Sequence, residues 1–213
     1  MARDVTVVDY GIGNLFSVCR ALEHCGGKVT LTADPEIIQN SGRVLLPGVG
    51  AFAHGMEELA RQGLVEAVQG AARRGNALLG ICLGMQLLLD ESEEFGLTAG
   101  LGLISGRVVP IPATTVAGQP QKVPHVGWNE LLPANEGTTW QGTVLADTPV
   151  GSAFYFVHSF MAMPTDPAHR LADCIYGGAR VAAVVARDNV VGCQFHPEKS
   201  GEFGLTLLRT FLA

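Results

Sequence analysis

Cys82 stands in the sequence setting of a catalytic nucleophile. Residues 80–84 read Gly-Ile-Cys-Leu-Gly, after a short apolar run at residues 77–81 and before an apolar stretch that begins at Met85. The run predicts a buried strand and the stretch predicts a helix. Glycines two residues on either side of a nucleophile are typical of the sharp strand-to-helix turn that raises it above a sheet. The helix would also direct unpaired N–H groups at the sulfur and favour the thiolate. A small buried cysteine in an α/β core remains the alternative on this spacing alone.

His196 and Glu198 have the residue types and spacing of a general base and its orienting carboxylate. His196 follows an apolar segment at residues 190–195, which predicts a strand, and Pro197 biases His196 away from the helical region. In an extended chain residues i and i+2 point the same way, so we expect Glu198 to lie beside the imidazole. Taken singly, the two could be a strand-end histidine and a solvated carboxylate. Together with Cys82 they predict a nucleophile, a base and an orienting group.

Both stretches resemble the signatures of the class I (triad) glutamine amidotransferase family. Residues 80–86 read Gly-Ile-Cys-Leu-Gly-Met-Gln, residues 194–200 read Gln-Phe-His-Pro-Glu-Lys-Ser, and residues 46–50 read Leu-Pro-Gly-Val-Gly. The resemblance extends over essentially the whole chain, without a departure at the triad. It implies the flavodoxin-like three-layer α/β fold of that family, with a mainly parallel sheet and an antiparallel extension. It also implies that Cys82, His196 and Glu198 hydrolyse the side-chain amide of glutamine, with no cofactor and no metal.

A glycine-rich turn at residues 47–50 follows a predicted strand, at the sheet edge where ligands bind in open parallel sheets. On the residues alone it is either a plain turn or a source of N–H groups that stabilise a developing oxyanion. The resemblance implies that the amides of Val49 and Leu83 form the oxyanion hole, with a flip of the Val49 peptide as a possible switch. It further implies that glutamine is held by Gly48, Gly50, Gln86, His158 and Ser159.

Three further segments resemble one group within this family, in which the glutaminase works with a second subunit. They lie at residues 9–15, 124–129 and 155–160 and read Asp-Tyr-Gly-Ile-Gly-Asn-Leu, Pro-His-Val-Gly-Trp-Asn and Tyr-Phe-Val-His-Ser-Phe. The resemblance implies a heterodimer with a (β/α)8-barrel cyclase that uses the ammonia to form an imidazole ring in histidine biosynthesis. It implies partner contacts at Asn14, Trp128 and Lys199. On sequence alone Trp128 is predicted to be a core aromatic residue and Lys199 a solvated lysine.

Length and composition indicate one domain, residues 1–213, in a reducing compartment. The formal net charge of −6 and the absence of a basic stripe argue against nucleic-acid binding. Five cysteines without a C-x-x-C pair argue against disulfides and a zinc site. The N-terminus lacks a signal-peptide pattern and no apolar run approaches membrane-spanning length, which predicts a cytoplasmic protein. A dinucleotide fingerprint beginning at Gly11 fails because Phe16 stands where its third glycine is required.

Apolar periodicity predicts strands and helices that alternate in the first half of the chain and a strand-rich second half. It favours one continuous helix that includes Met56 and ends near Arg73, and a helix from Met85 that is closed by an acidic, solvated run at residues 90–94. A tight hairpin is expected at residues 188–189 and a surface loop at 114–121. Strands are predicted at residues 5–8, 28–32, 43–46, 77–81, 101–112, 126–132, 153–157, 170–176, 181–187 and 190–195, and helices also at 11–22 and 201–212.

Three alternative functions stay open at this point. A sister glutaminase serving purine, anthranilate or pyridoxal phosphate synthesis is disfavoured by the segments at residues 9–15 and 124–129. A thiol peptidase or γ-glutamyl hydrolase would turn over fully without a partner. An inactive interaction module would leave Cys82 unreactive towards a glutamine-analogue alkylator.

Overall fold

Strands at the centre of the molecule form a mainly parallel sheet. The computed structural model describes residues 3–213; Met1 and Ala2, where the predicted domain 1–213 begins, lie outside the described residues. The strands, in chain order, are β1 (Arg3–Val8), β2 (Gly27–Thr32), β3 (Arg43–Leu46), β4 (Ala77–Ile81), β5 (Leu89–Ser92), β6 (Thr98–Ala99), β7 (Ile104–Pro110), β8 (His125–Glu130), β9 (Leu132–Pro133), β10 (Ala153–His158), β11 (Phe160–Pro164), β12 (Arg170–Tyr176), β13 (Ala179–Arg187) and β14 (Val190–Cys193).

The main sheet has the strand order β2-β1-β3-β4-β14-β13-β12-β9. From β2 to β14 neighbouring strands pair in parallel, whereas β13, β12 and β9 continue the sheet antiparallel. The parallel part follows the flavodoxin-like order of doubly wound sheets. β10 pairs with β8, and β11, β7, β5 and β6 form a separate four-stranded sheet. The predicted parallel sheet with an antiparallel extension is therefore confirmed.

Helices cover both faces of the main sheet and complete three layers. One apolar core contains Val18 and Leu22 of the first helix and Leu207 of the last; the other contains Ile38 and Val68 of the second and fourth helices. The buried parallel strands between the two cores are apolar on both faces, as such strands require. The helices are α1 (Leu15–His24), α2 (Pro35–Asn40), α3 (Phe52–Arg61), α4 (Leu64–Arg73), α5 (Leu83–Leu87) and α6 (Gly201–Leu212).

Two predicted helices differ from the structure. The helix predicted to run from the region of Met56 to Arg73 is two helices, α3 and α4, because Gly63 adopts φ 67° between them. The helix after Cys82 has only five residues, and the segment predicted to close it begins with strand β5. The helical spacing of apolar residues continues from Leu59 to Leu64 across the first boundary, and residues 87–89 are all leucine across the second, so apolar periodicity could not locate either boundary. α2, β6 and β11 were also not predicted.

Other predicted elements are confirmed. β3, β4, β12 and α6 have the expected bounds, and most of the remaining strands differ from the expectation by a few residues at their ends. β13 and β14 form the expected hairpin, with Asp188 at φ 53° in its turn. Within residues 3–213, none of the helices combines the length and the apolar character that crossing a membrane would require.

Candidate active site

Cys82 lies at a sharp turn between β4 and α5, in a conformation that few non-glycine residues adopt. Its backbone has φ 55° and ψ −109°, which places strain at the base of the site. The flanking glycines are required sterically: a Cβ on Gly80 would lie 2.6 Å from the carbonyl oxygen of Gly84, and a Cβ on Gly84 would overlap the carbonyl of Leu46. The predicted nucleophile turn is therefore present.

The sulfur of Cys82 is nearly buried and lies among polar atoms. The Nε2 amide of Gln194 donates to Sγ at 3.8 Å, and the carbonyl oxygen of Val157 lies 4.0 Å from it. Gln194 is fully buried, and its Oε1 accepts a 2.9 Å hydrogen bond from Nε2 of Gln86. A buried amide fixed at both ends holds the sulfur in place. No role was predicted for Gln194, although it lies in the segment that carries His196.

His196 and Glu198 meet as predicted, but along a different backbone path. Nδ1 of His196 lies 2.8 Å from Oε1 of Glu198, and both side chains are buried. The chain is extended only to His196; Pro197–Lys199 form a single 3-10 turn. The expectation of an extended chain was wrong, and the turn rather than strand alternation carries the carboxylate to the ring.

The environment of His196 favours its protonated form. Burial opposes the charge, but the interactions with Cys82 and Glu198 outweigh it and raise the pKa of His196 to about 9. Its other nitrogen, Nε2, is buried and has no hydrogen-bond partner among the described residues. The imidazole can therefore form an ion pair with a thiolate and still exchange a proton at Nε2.

Cys82 and His196 share the wall of one cleft of about 430 Å³, a volume suited to a small polar metabolite. The predicted residues Gly50, Gln86 and Ser159 lie on the same wall, whereas Gly48 lies behind it. The cleft opens at the carboxyl ends of the parallel strands. Its lining consists of Val49, Gly50, Cys82, Leu83, Gln86, Glu94, Pro124, Val157, His158, Ser159, Phe160 and His196.

The two amides predicted to stabilise an oxyanion do not yet form a pair of free donors. The Leu83 N–H donates to the carbonyl oxygen of Gly48 at 3.3 Å, not to the sulfur or the cleft. Tyr10 holds Pro47, the residue before Gly48, in place, because the Tyr10 hydroxyl donates to the Pro47 carbonyl at 2.8 Å. Rotation of the peptide between Gly48 and Val49 would move the Gly48 carbonyl away from the Leu83 N–H and free that donor. The same rotation would turn the Val49 N–H to the side where the Gly48 carbonyl now lies. An oxyanion hole at these residues stays a prediction.

His158 is part of a buried polar chain that sequence reasoning missed. Its Nδ1 lies 2.7 Å from the carbonyl oxygen of Phe160, and its Nε2 lies 2.9 Å from Nδ1 of His125. Burial lowers the pKa of His158 to about 4, so the ring is neutral at physiological pH. Asn129 extends the chain, 2.7 Å from Nε2 of His125. These contacts fix the orientation of the His158 ring at the cleft wall.

Glu94 was predicted to belong to a solvated acidic run, and that interpretation was wrong for this residue. It lies on the cleft wall, and its Oε2 accepts a 2.6 Å hydrogen bond from the Phe52 N–H at the start of α3. Its acidic neighbours Asp90 and Glu93 are exposed. Nothing in the sequence separates Glu94 from them, because only the turn after β5 directs it inward.

The predicted partner residues lie at or near the surface. Trp128 is 57% exposed, so its expectation as a core residue was wrong, and its ring packs against Tyr155 with centroids 6.0 Å apart. Lys199 is exposed, and Asn14 is half-buried at the start of α1. Contact of these residues with a partner stays a prediction. The structure brings no group of three or more His, Cys, Asp or Glu side chains of residues 3–213 into a metal-binding arrangement.

Known proteins resemble this chain in sequence and in fold. The model of the family "Glutamine amidotransferase class-I" matches residues 6–213. The imidazole glycerol phosphate synthase subunit HisH 1 of Legionella pneumophila (strain Lens) is 51% identical over 208 residues, covering 98% of this chain and 98% of its own. The HisH subunit of Geobacillus sp. (strain WCH70) is 46% identical over 207 residues, covering 97% and 95%.

The solved structures agree on the fold. PurLQS from Thermotoga maritima superimposes with a TM-score of 0.71 at 22% identity, covering 100% of this chain and 98% of its own. A glutamine amidotransferase crystal structure gives a TM-score of 0.69 at 18% identity, with 94% of both chains covered. The match over nearly the full length shows that this chain belongs to the class-I glutamine amidotransferase family.

Proposed function

We propose that the chain is the glutaminase subunit of imidazole glycerol phosphate synthase, with Cys82, His196 and Glu198 as its catalytic triad and residues 1–213 as one domain. The observation that carries the proposal is the shared cleft, in which a strained cysteine and a carboxylate-bound histidine lie on one wall. Relatives named as HisH subunits at 51% and 46% identity support the choice of reaction within the family.

Acylation follows from the geometry of the triad. The thiolate of Cys82 attacks the amide carbon of the glutamine side chain, and a C–S bond forms as the amide oxygen becomes an oxyanion. His196 gives its Nε2 proton to the nitrogen, the C–N bond breaks, and ammonia leaves. Glu198 holds the ring and stabilises its protonated state, as the third member of a triad does.

Deacylation uses the same histidine in the opposite direction. Water attacks the thioester carbon while Nε2 of His196 accepts its proton, and the C–S bond then breaks to release glutamate and restore the Cys82 thiolate with the protonated imidazole. Rotation of the peptide between Gly48 and Val49 would supply oxyanion donors in both steps. One such donor contributes a rate factor of about 10² to 10³ in other acyl-transfer enzymes, so the rotation could turn the site on.

The amino-acid end of glutamine has matching groups on the cleft wall. Glu94 lines the cleft, and its carboxylate can accept a hydrogen bond from the α-ammonium group. Gln86, Gly50 and the segment at His158–Ser159 supply polar atoms around the rest of the substrate, and the predicted residue Gly48 packs against Leu83 and Gly84 next to the cleft. Gln86 is buried and already bonded to Gln194 and the Phe160 carbonyl, so it is held in place before glutamine arrives.

Ammonia has to reach a second site unprotonated, since ammonium is not nucleophilic. We place that site in a (β/α)8-barrel cyclase subunit, which docks over the cleft mouth through Asn14, Trp128 and Lys199 and makes imidazole glycerol phosphate and an aminoimidazole carboxamide ribotide. The exposed Trp128 supports this, because large exposed aromatic residues often anchor interfaces. Five free cysteines support a reducing, cytoplasmic setting.

The decisive experiment mixes the purified chain with a candidate cyclase and measures glutamate release and ring formation, with and without the acceptor nucleotide. We expect slow glutamine hydrolysis by the chain alone and stimulation by the nucleotide-loaded partner. Cys82→Ala should abolish glutamine-dependent synthesis and retain ammonia-dependent synthesis. Cys19→Ala, on the exterior helix α1, is the matched control and should change neither. Ring formation with a cyclase of another pathway instead, or full turnover without a partner, would contradict the proposal.

A further inference from the structure

Ser200 stands immediately before α6, where a serine usually caps a helix. A capping hydroxyl accepts a hydrogen bond from an N–H group of the first turn. The Ser200 hydroxyl makes no such bond to the described part of α6. Ser200 is 98% buried (relative exposure 2%), so its hydroxyl has to find its hydrogen-bond partners elsewhere inside the protein.

Instead, the Ser200 hydroxyl forms a hydrogen-bonded bridge between His196 and strand β10. The Oγ–H of Ser200 donates to the carbonyl oxygen of His196 at 2.6 Å. The same oxygen atom of Ser200 accepts a 3.0 Å hydrogen bond from the N–H of Tyr155. Both partners are backbone groups, so the bridge depends on where the two chain segments lie and not on the rotamers of long side chains.

The bridge completes a closed set of bonds around the backbone of His196. The His196 N–H donates to the Tyr155 carbonyl at 3.0 Å, and the Lys199 N–H donates to the His196 carbonyl at the same distance. Both backbone polar groups of His196 are thus tied to Tyr155, one directly and one through Ser200. The imidazole extends from this backbone to Glu198, and its position relative to Cys82 follows from it.

Tyr155 connects this arrangement to the surface. Its ring packs edge-to-face on the exposed ring of Trp128, on the paired strand β8. A displacement of β10 by anything bound at Trp128 would therefore reach His196 through two hydrogen bonds. Misplacement of a reacting group by about 1 Å can lower a rate about 10²-fold.

We propose that Ser200 is a positioning residue, whose hydroxyl fixes the backbone of His196 to β10 and so sets the approach of the imidazole to Cys82. This inference rests on the proposed glutaminase function. Ser200 touches neither the substrate cleft nor the reacting atoms, since it does not line the cleft, and it acts only through His196.

The test compares variants that remove or keep the hydroxyl. Ser200→Ala and Ser200→Gly remove it, and glycine is in addition well tolerated at the start of a helix. Ser200→Thr keeps it. The matched control is Ser152→Ala, because Ser152 is also buried and its hydroxyl has no partner within residues 3–213. Each variant is assayed for glutaminase kcat and KM, for labelling of Cys82 by a diazoketone analogue of glutamine, and for its unfolding midpoint.

For Ser200→Ala and Ser200→Gly we expect kcat and the labelling rate to fall about tenfold or more at a temperature where the variants remain folded, with KM within about twofold of the unsubstituted chain. Ser200→Thr should recover most of the loss, and Ser152→Ala should change kcat less than about twofold. The inference is overturned by unchanged kcat in both hydroxyl-free variants, by a change confined to KM, by an equal loss in Ser152→Ala, or by failure of both variants to fold. If the unsubstituted chain itself releases no more glutamate than Cys82→Ala, the proposed function fails, and this inference fails with it.

Discussion

At the residue scale, the protonation of His196 depends on two neighbours that were both predicted to accompany it. Its pKa of about 9 exceeds the ordinary value of 6.5 because Cys82 and Glu198 outweigh burial. Since the pKa is raised in the folded state, the protonated ring stabilises the fold fully below about pH 6.5, and this contribution is lost as pH rises through about 9. In the proposed mechanism, the same titration removes the proton that His196 would give to the departing ammonia.

Glu198→Gln should therefore move the alkaline limb of the glutaminase kcat profile to lower pH, because one of the two influences that raise the pKa of His196 disappears. We also expect kcat to fall at every pH, since the ring loses its 2.8 Å partner at Nδ1. The measurement is kcat between about pH 6 and 10. Glu202→Gln, an exposed carboxylate on α6 that pairs with Arg209, is the control. An alkaline limb at the same pH in both variants would show that Glu198 does not control the proton on His196.

The residues that sequence reasoning located and those it missed differ in a physical way. Cys82 and His196 could be predicted because strand-to-helix turns and residues next to proline restrict the backbone locally. Glu198 was expected beside the imidazole and lies there, but a 3-10 turn brings it to the ring instead of the expected extended chain. Glu94 and His125 could not be predicted, because their positions depend on contacts between distant segments: Glu94 on the start of α3, and His125 on its register with His158 across β8 and β10. Only the folded chain brings Glu94 to the cleft and His125 into contact with His158.

At the element scale, the nucleophile turn depends on how closely α5 approaches β3. Gly84 lies against the Leu46 carbonyl, so that no side chain fits between them. The same closeness explains why the short helix α5 was hard to predict. Residues 87–89 are apolar and buried whether they continue a helix or enter β5, and periodicity cannot separate these outcomes.

Gly84→Ala should destabilise the fold by about 3 kcal/mol or more, because its methyl group would force the turn away from β3. Gly42→Ala is the matched control: that glycine has open space around it, so we expect a change within about 0.5 kcal/mol. Urea unfolding of both variants measures the difference. Comparable stability of the two would mean that the turn can move without cost, and the strained Cys82 backbone would then not be enforced by its packing.

At the scale of the whole molecule, the candidate active site and the predicted docking surface lie at the same end of the sheet. The cleft opens where the parallel strands end, and the segment that carries His196 continues within three residues to the exposed Lys199. Lys199 also donates its N–H to the His196 carbonyl. A partner that engages the Lys199 side chain would thus act on the backbone turn that holds the base.

Lys199→Ala should reduce the stimulation of glutaminase activity by the nucleotide-loaded cyclase several-fold and change hydrolysis by the isolated chain less than about twofold. The substitution removes the exposed ammonium group and leaves the backbone hydrogen bond to His196 in place. Lys28→Ala is the matched control, because Lys28 carries the same charge and is also exposed but lies near the amino end of β2, whereas the cleft opens at the carboxyl ends of the parallel strands. Glutamate release with and without partner separates the two effects. Equal losses of basal and stimulated rates would assign Lys199 a structural role. Equal effects of the two lysine substitutions would show that Lys199 contributes to stimulation only through its charge. The partner would then have to act on His196 through β10 and Trp128 alone.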